Sequence, residues 1–132
     1  MSLLLLDTTF LVDAERAGRD LDELIADDDD VAIAAVTAAE LLVGVELAGG
    51  RHRHQREEYV AALLAALPVI DYDSEVAVVH AELLVAARRA GRPRGAHDLI
   101  IAATARTTRR VVVTADRAAF EGLPGVQTRS HR

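Results

Sequence analysis

The 132-residue sequence contains no cysteine, no tryptophan and no lysine, and it has only two phenylalanines and two tyrosines. The absence of cysteine excludes disulfides, thiolate zinc sites and cysteine nucleophiles. The scarcity of aromatic residues leaves Ala, Val, Leu and Ile to form the core. Tyr59 and Tyr72 are too few to form a platform on which nucleic-acid bases would stack.

Long apolar runs are also missing, since no segment approaches the about 20 residues that a membrane span requires. The first apolar run is not preceded by the basic region of a secretion signal. The length suits one domain with a substantial core, covering residues 1–132. We therefore expect a single cytoplasmic domain with no membrane association.

The formal net charge of −6 argues, taken alone, against a nucleic-acid partner. Two features weaken that argument. Acids grouped around a metal ion would be offset by its charge, and Asp27 to Asp30 form a separate local run. We interpret that run as a solvated turn, because it lacks the alternating ligands and closing glutamate of a calcium loop.

Short apolar runs typical of strands alternate along the chain with longer helical patterns. This alternation predicts an α/β fold with a parallel central sheet of four to five strands and helices on both faces. Short runs such as Leu3-Leu4-Leu5-Leu6 are typical of strands buried on both faces. Strands are predicted at about 3–6, 31–35, 69–70 and 111–113 and around Val126, and helices at about 9–17, 20–27, 37–48, 52–66, 73–90, 97–108 and 116–120.

Four acidic residues recur beside these predicted elements. Asp7 directly follows the first strand, and Glu40, Asp98 and Asp116 lie at or just past the start of helical patterns. All four come from the C-terminal side of strands or from helices entered directly after them. A parallel sheet would bring such positions toward one edge, where open α/β sheets place their ligands.

Each acid also has a structural interpretation. Thr37-x-x-Glu40 has the spacing of a capping box with Thr37 as N-cap, and Asp98 in a first turn would favour the helix dipole. Asp116 and Asp7 could each cap the next helix.

The four acids taken together favour a metal site. Four crowded carboxylates raise one another's pKa unless a cation neutralises them. Oxygen ligands without cysteine favour Mg²⁺ or Mn²⁺. Such ions activate water and stabilise the attacking and leaving oxygens at phosphorus, so phosphodiester hydrolysis is the chemistry that we expect.

Over nearly its whole length the chain resembles the PIN-domain family, and within it the VapC toxins. The first motif, Leu6-Asp7-Thr8-Thr9-Phe10-Leu11-Val12, resembles the family's Asp-Thr/Ser-Ser/Thr strand end. Three further motifs occur in order: Thr37-Ala-Ala-Glu40-Leu41-Leu42-Val43-Gly44, Asp98-Leu-Ile-Ile-Ala-Ala-Thr-Ala105, and Thr114-Ala115-Asp116 with Phe120 and Leu123-Pro124-Gly125-Val126. The resemblance implies one PIN-like domain.

The resemblance also implies roles for the residues of these motifs. Asp7, Glu40 and Asp98 would be the metal ligands, with Asp116 as the fourth acid, either a ligand or acting through water. Hydroxyls at the site or around it would come from Thr8, Thr9 and Thr114. Many relatives carry a further aspartate before the phenylalanine, where this chain has Ala119. A second metal therefore has less support here.

Four arginines, Arg88, Arg89, Arg92 and Arg94, precede Asp98. They form either a solvated helix end, where arginine complements the dipole, or a contact for RNA phosphates, which arginine binds in bidentate fashion. Beside a phosphodiesterase site we favour RNA contact for one or two of them.

Two helical segments, 41–45 and 60–67, are almost wholly apolar. They form either a tightly packed alanine-rich pair or an exposed surface for a partner. The resemblance implies a homodimer and a VapB-like antitoxin.

The predicted function is an Mg²⁺-dependent endoribonuclease, the toxin of a type II toxin–antitoxin pair, cleaving structured or single-stranded RNA of the tRNA or rRNA class. A housekeeping RNA-processing nuclease and a DNA-cleaving relative stay open as alternatives.

Overall fold

The computed structural model describes residues 1–130, so His131 and Arg132, which the predicted domain includes, lie outside the described residues. Within these 130 residues, five strands form one sheet in the order β3-β2-β1-β4-β5, and every neighbouring pair is parallel. The predicted parallel α/β fold is confirmed. The strands are β1 (Leu3–Leu6), β2 (Asp30–Ala34), β3 (Val69–Ile70), β4 (Val111–Val113) and β5 (Thr128–Arg129).

In the part of the chain that the structure describes, six α-helices connect the strands and lie near the predicted positions. The largest offset is at the end of the second helix, which stops at Leu24 instead of the predicted 27, and the last strand begins two residues after Val126. The helices are α1 (Thr8–Arg16), α2 (Leu21–Leu24), α3 (Ala35–Leu47), α4 (Gly50–Ala66), α5 (Ser74–Arg89) and α6 (Ala96–Thr108), and the predicted helix at 116–120 is a 3₁₀ turn (Arg117–Ala119). No helix within residues 1–130 is both long and apolar enough to cross a membrane.

Strand β1 is the central strand of the sheet, and its leucines pack into two hydrophobic cores, one on each face. Leu4, Leu5 and Leu6 are all 0% exposed. Leu5 packs into the core that includes residues of α5 and α6, whereas Leu4 and Leu6 pack into the core that includes residues of α1, α3 and α4. Side chains alternate between the faces of a strand, so an unbroken leucine run is what a doubly covered strand requires. The predicted helices on both faces are confirmed.

Asp7 and Asp73 cap helices, whereas the predicted cap at Thr37 is wrong. Asp7 accepts from the amide of Phe10 at 2.9 Å at the start of α1, and Asp73 caps α5 through the amide of Val76 at 2.9 Å. Thr37 is not a cap. Helix α3 begins at Ala35 with Ala34 as N-cap and no side-chain bond, because β2 runs into the helix without a loop. The capping box is therefore absent.

The acidic run at 27–30 lies at the opposite end of the sheet from the carboxyl ends of the strands. Asp30 begins β2 and pairs with Leu3. The Arg110 guanidinium donates to the Asp30 carbonyl at 2.8 Å and to its carboxylate at 2.9 Å. This run is part of the scaffold and separate from the four candidate acids.

Candidate active site

Asp7 directly follows β1, and its carboxylate is buried and hydrogen-bonded through both oxygens. The residue is 2% exposed. Its Oδ1 accepts from the Thr9 hydroxyl at 2.8 Å, besides the Phe10 amide, and its Oδ2 accepts from the Thr114 hydroxyl at 2.7 Å. Burial raises the pKa of Asp7, and these donors oppose the increase only in part. The arrangement fixes the carboxylate's orientation at the carboxyl edge of the sheet.

Glu40 lies in α3, and its carboxylate is reached from two other helices. The Thr8 hydroxyl, at the start of α1, donates to Oε1 at 2.8 Å. The Nδ1 atom of His97, in the first turn of α6, is 3.4 Å from Oε2. Thr37 is fully buried one turn earlier on α3, with its hydroxyl 3.5 Å from that of Thr8. These contacts direct Glu40 toward the carboxyl edge, which a capping role would not do.

Asp98 shows most directly that the four acids converge. Burial raises its pKa, and the negative charges of Asp7, Glu40 and Asp116 raise it further. His97 opposes the effect. One expectation is corrected: Asp98 does not enter from a strand, because α6 comes after α5 and the loop 90–95. All four predicted acids nevertheless share one electrostatic environment.

Asp116 reaches the site from the segment after β4. It precedes the 3₁₀ turn, but its side chain makes no capping hydrogen bond, so the cap interpretation is wrong. Its amide donates to the Thr114 hydroxyl at 2.9 Å, and that hydroxyl donates to Asp7. The Thr114 hydroxyl thus links Asp7 to Asp116.

A cleft of about 400 Å³ opens between Asp98 and Asp116. Arg92 and Arg94 border it, whereas Arg88 and Arg89 lie exposed in the last turn of α5. The cleft is lined by Arg92, Pro93, Arg94, Gly95, Asp98 and Asp116, with Ala118 and Ala119. Ala119 contributes no carboxylate at the position where the resemblance implied a further acid in many relatives.

The Arg94 guanidinium donates hydrogen bonds to three backbone carbonyls. Its Nη1 donates to the Ala119 carbonyl at 2.8 Å, its Nη2 donates to the Glu121 carbonyl, and its Nε donates to the Arg92 carbonyl at 3.3 Å. The sequence predicted Arg94 as one of four candidate RNA contacts. In this arrangement much of its donor capacity is used within the protein.

The donor chemistry of the cluster fits a hard divalent cation, since it offers carboxylate and hydroxyl oxygens and no sulfur. The mutual effect of the acids on the pKa of Asp98 is the electrostatic signature of a site that a cation would relieve. Within residues 1–130, no three Asp, Glu, His or Cys side chains are already arranged to hold an ion. Metal binding would therefore require side chains of the cluster to turn toward one another.

The sequence did not predict three contacts of the site, those of Thr37, His97 and Arg94. Thr37 was assigned to a cap, although its spacing of three from Glu40 also places both on one helix face. His97 is a neighbour of Asp98 in the sequence, but its contact with Glu40 depends on how α6 packs on α3. No pattern in the sequence indicated that Arg94 would bind carbonyls 25 and 27 residues away.

The sheet topology and the site together define a three-layer α/β protein with an acidic centre at the carboxyl edge of its sheet. The PIN domain model matches residues 4–125. The chain belongs to the PIN domain family.

Its relatives are bacterial toxins and endonucleases. The chain is 34% identical over 128 residues to the toxin FitB of Neisseria gonorrhoeae, covering 89% of this chain and 91% of that protein. It is 32% identical over 95 residues to the tRNA(fMet)-specific endonuclease VapC of Salmonella typhimurium, covering 72% and 70%. A solved structure of VapBC-5 from Mycobacterium tuberculosis, a member of the VapBC family of toxin–antitoxin systems, superposes with a TM-score of 0.79 at 30% identity, covering 97% and 98%.

Proposed function

We propose that the chain is a metal-dependent endoribonuclease that acts as the toxin of a toxin–antitoxin pair. The observation that carries the proposal is the convergence of Asp7, Glu40 and Asp116 on Asp98, whose pKa all three raise. The names of the relatives support both parts, since one is a tRNA-specific endonuclease and another a toxin.

In this proposal Asp7, Glu40 and Asp98 hold Mg²⁺ or Mn²⁺, and Asp116 completes the site. A bound divalent cation would make a water molecule more acidic and offset the charge that develops at the phosphate. The protein's own contribution is orientation. Thr9 and Thr114 hold the Asp7 carboxylate, and Thr8 holds that of Glu40, at 2.8 Å or less for the shortest bond to each acid.

We assign RNA contact to the exposed arginines near the cleft. Arg92 borders the cleft beside Asp98, and Arg88 and Arg89 extend the positive charge along the end of α5. Phosphate contacts of this kind add affinity without sequence specificity and weaken with salt. Replacing Arg92 with Met should raise KM for RNA and reduce the salt slope of binding by up to about one.

For partners we propose a second copy of this chain and a VapB-like antitoxin. Of the two alternatives for the segments 41–45 and 60–67, the structure shows packing of the helix pair, since Leu41 and Val45 of α3 and Val60 and Leu63 of α4 share one core. Helix α3 also leaves apolar side chains exposed, namely Leu42 (47%), Val43 (54%) and Leu47 (82%). Exposed apolar side chains on neighbouring helical turns are typical of interfaces.

The proposal is tested by incubating the purified protein with tRNA, rRNA hairpins and DNA of matched sequence, with Mg²⁺, with a chelator, and with Mn²⁺ added back. We expect RNA cleavage only when a divalent cation is present, leaving 5′-phosphate and 3′-hydroxyl ends that sequencing of the fragments would identify. Preferential cleavage of DNA would instead favour the DNA-cleaving alternative. Cleavage that persists undiminished in chelator would refute metal dependence.

The toxin role needs a separate test in cells. Induced expression should arrest growth, and co-expression of the proposed VapB-like antitoxin should relieve that arrest. Cleavage in vitro without growth arrest would favour the housekeeping RNA-processing alternative.

A further inference from the structure

Arg94 connects the two chain segments that carry Asp98 and Asp116. It lies in the loop before α6, adjacent to Gly95, the N-cap residue of that helix. Its guanidinium donates across the cleft to the carbonyls of Ala119 and Glu121, which lie beyond Asp116 in the chain. The contacts therefore join the near side of the cleft to its far side.

The segment that Arg94 holds has few other attachments around Asp116. Residues 115–118 are all exposed. Before the turn, the amides of Ala115 and Asp116 donate to the hydroxyls of Thr9 at 3.2 Å and Thr114 at 2.9 Å. Beyond Asp116 the amide bonds are local to one tight turn, from Ala119 to the Asp116 carbonyl at 3.3 Å and from Phe120 and Glu121 to the Arg117 carbonyl at 3.1 and 3.0 Å. Phe120, at 1% exposure, anchors the end of the turn in the core. The segment between Thr114 and Phe120 is tied across the cleft by the hydrogen bond from Arg94 to the Ala119 carbonyl.

We propose that Arg94 is a positioning residue, which fixes the position of Asp116 relative to Asp98 by clamping the turn after β4 to the loop before α6. The inference rests on the proposed nuclease function for its catalytic consequence. A planar guanidinium can donate along two directions at once, whereas the ammonium of lysine is a compact point charge. Position 94 therefore requires the geometry of a guanidinium, and a positive charge alone would not be enough.

The test compares Arg94→Met and Arg94→Lys with Arg92→Met, which removes the same charge from the same loop. We expect both Arg94 variants to lose kcat by about tenfold to a hundredfold, the size of effect that a misplacement near 1 Å produces. Their KM and the salt dependence of RNA binding should stay at wild-type values. Arg92→Met should show the opposite pattern, a higher KM with kcat retained.

Hydrogen exchange on the metal-free protein supplies a readout that needs no catalysis. Amides of residues 115–121 should exchange faster in both Arg94 variants and at the wild-type rate in Arg92→Met. Unchanged exchange in both Arg94 variants would overturn the clamp. A normal kcat in Arg94→Lys, together with raised KM in Arg94→Met, would overturn it in favour of a phosphate contact. If the wild-type protein cleaves no RNA, the proposed function fails, and the exchange result alone decides whether the clamp exists.

Discussion

Asp7 serves the fold and the site with the same carboxylate. It is the N-cap of α1 through the Phe10 amide, and its other oxygen binds the hydroxyl of Thr114. The cap does not require a negative charge, because asparagine caps helices about as well as aspartate. The fold therefore does not require the negative charge of Asp7, whereas the proposed metal does.

Asp7→Asn should abolish RNA cleavage, by more than about a hundredfold, which exceeds the effect typical of residues that surround a metal ligand. The fold should persist, because the amide oxygen can still accept from Phe10 and the hydroxyls of Thr9 and Thr114 can accept from its NH₂ group. Burial of the charged form no longer opposes folding, so the melting temperature without metal should rise at pH 7.

Asp73→Asn is the matched control, since Asp73 caps α5 in the same way but is not one of the acids that act on Asp98. It should retain wild-type cleavage. Full activity in Asp7→Asn, or equal loss in both variants, would contradict the assignment of Asp7.

Glu40→Gln should lose most of its activity with little change in stability. The capping role that would have explained this glutamate structurally is absent, because Ala34 is the N-cap of α3. Glutamine can still accept from Thr8 but carries no charge for a cation. Cleavage assays and thermal melts should be compared with Glu46→Gln on the same helix, where the side chain is 74% exposed. Unchanged turnover in Glu40→Gln would remove it from the site.

At the level of elements, the start of α6 places Asp98, and Gly95 makes room for it. A Cβ at Gly95 would lie 3.0 Å from Asp98 Oδ2. The backbone of Gly95 has φ −58°, which any residue adopts, so the requirement is for space alone. The absence of a side chain at the helix start thus determines where the carboxylate can lie.

Gly95→Ala should displace the Asp98 carboxylate by a few tenths of an ångström or more and lower kcat by about tenfold. Gly49→Ala is the matched control, because Gly49 is also an N-cap and a Cβ there would meet nothing within 4 Å. Alanine at an N-cap is slightly destabilising in both variants, so melting temperatures should fall alike. Equal activity in the two variants would show that Asp98 does not need this space.

At the level of the whole molecule, the four acids make the metal-free protein sensitive to pH. The pKa of Asp98 in the folded chain is raised above its ordinary value of 3.8, and that of Asp7 is raised as well. Stability from their protonated forms is fully present below pH 3.8 and is lost as pH rises through the higher folded values. The proposed site therefore destabilises the metal-free fold at neutral pH.

The melting temperature of Asp98→Asn should exceed that of the wild type at pH 7 without metal, and the difference should shrink as pH falls toward about 4 and level off below it. Taking the difference between the two proteins cancels the titration of groups elsewhere in the chain. Thermal melts from about pH 3 to about pH 8 measure it. A difference that grows on acidification would have the wrong sign for this cluster.

Divalent metal should reverse that destabilisation. An ion at a hundredfold excess over its dissociation constant would stabilise the fold by about 2.7 kcal/mol, and Asp98→Asn should blunt the effect. Because Ala119 brings no carboxylate to the cleft, we expect one tight ion and a second that is weak or arrives with RNA. Calorimetry with Mn²⁺ on the free protein measures both, and two equally tight sites would contradict this asymmetry.

The sequence by itself determined the sheet and the identity of the acids. Four successive leucines, with the 31–35 and 111–113 runs, required strands covered on both faces, since such runs have no polar side to expose. Parallel strands place the residues beyond their carboxyl ends at one edge of the sheet, so Asp7 and Asp116 could be assigned to that edge from the sequence alone. The motifs around Glu40 and Asp98 supplied the other two acids.

Only the tertiary structure decided how those acids are held. The start of α3 could not be located from Thr37, because the junction with β2 has no loop and the N-cap is an alanine. The meeting of His97 with Glu40, and of Arg94 with the carbonyls beyond Asp116, joins residues far apart in the chain. Local propensity carries no information about such contacts, because they exist only once α6 and the turn after β4 have packed against the same edge of the sheet.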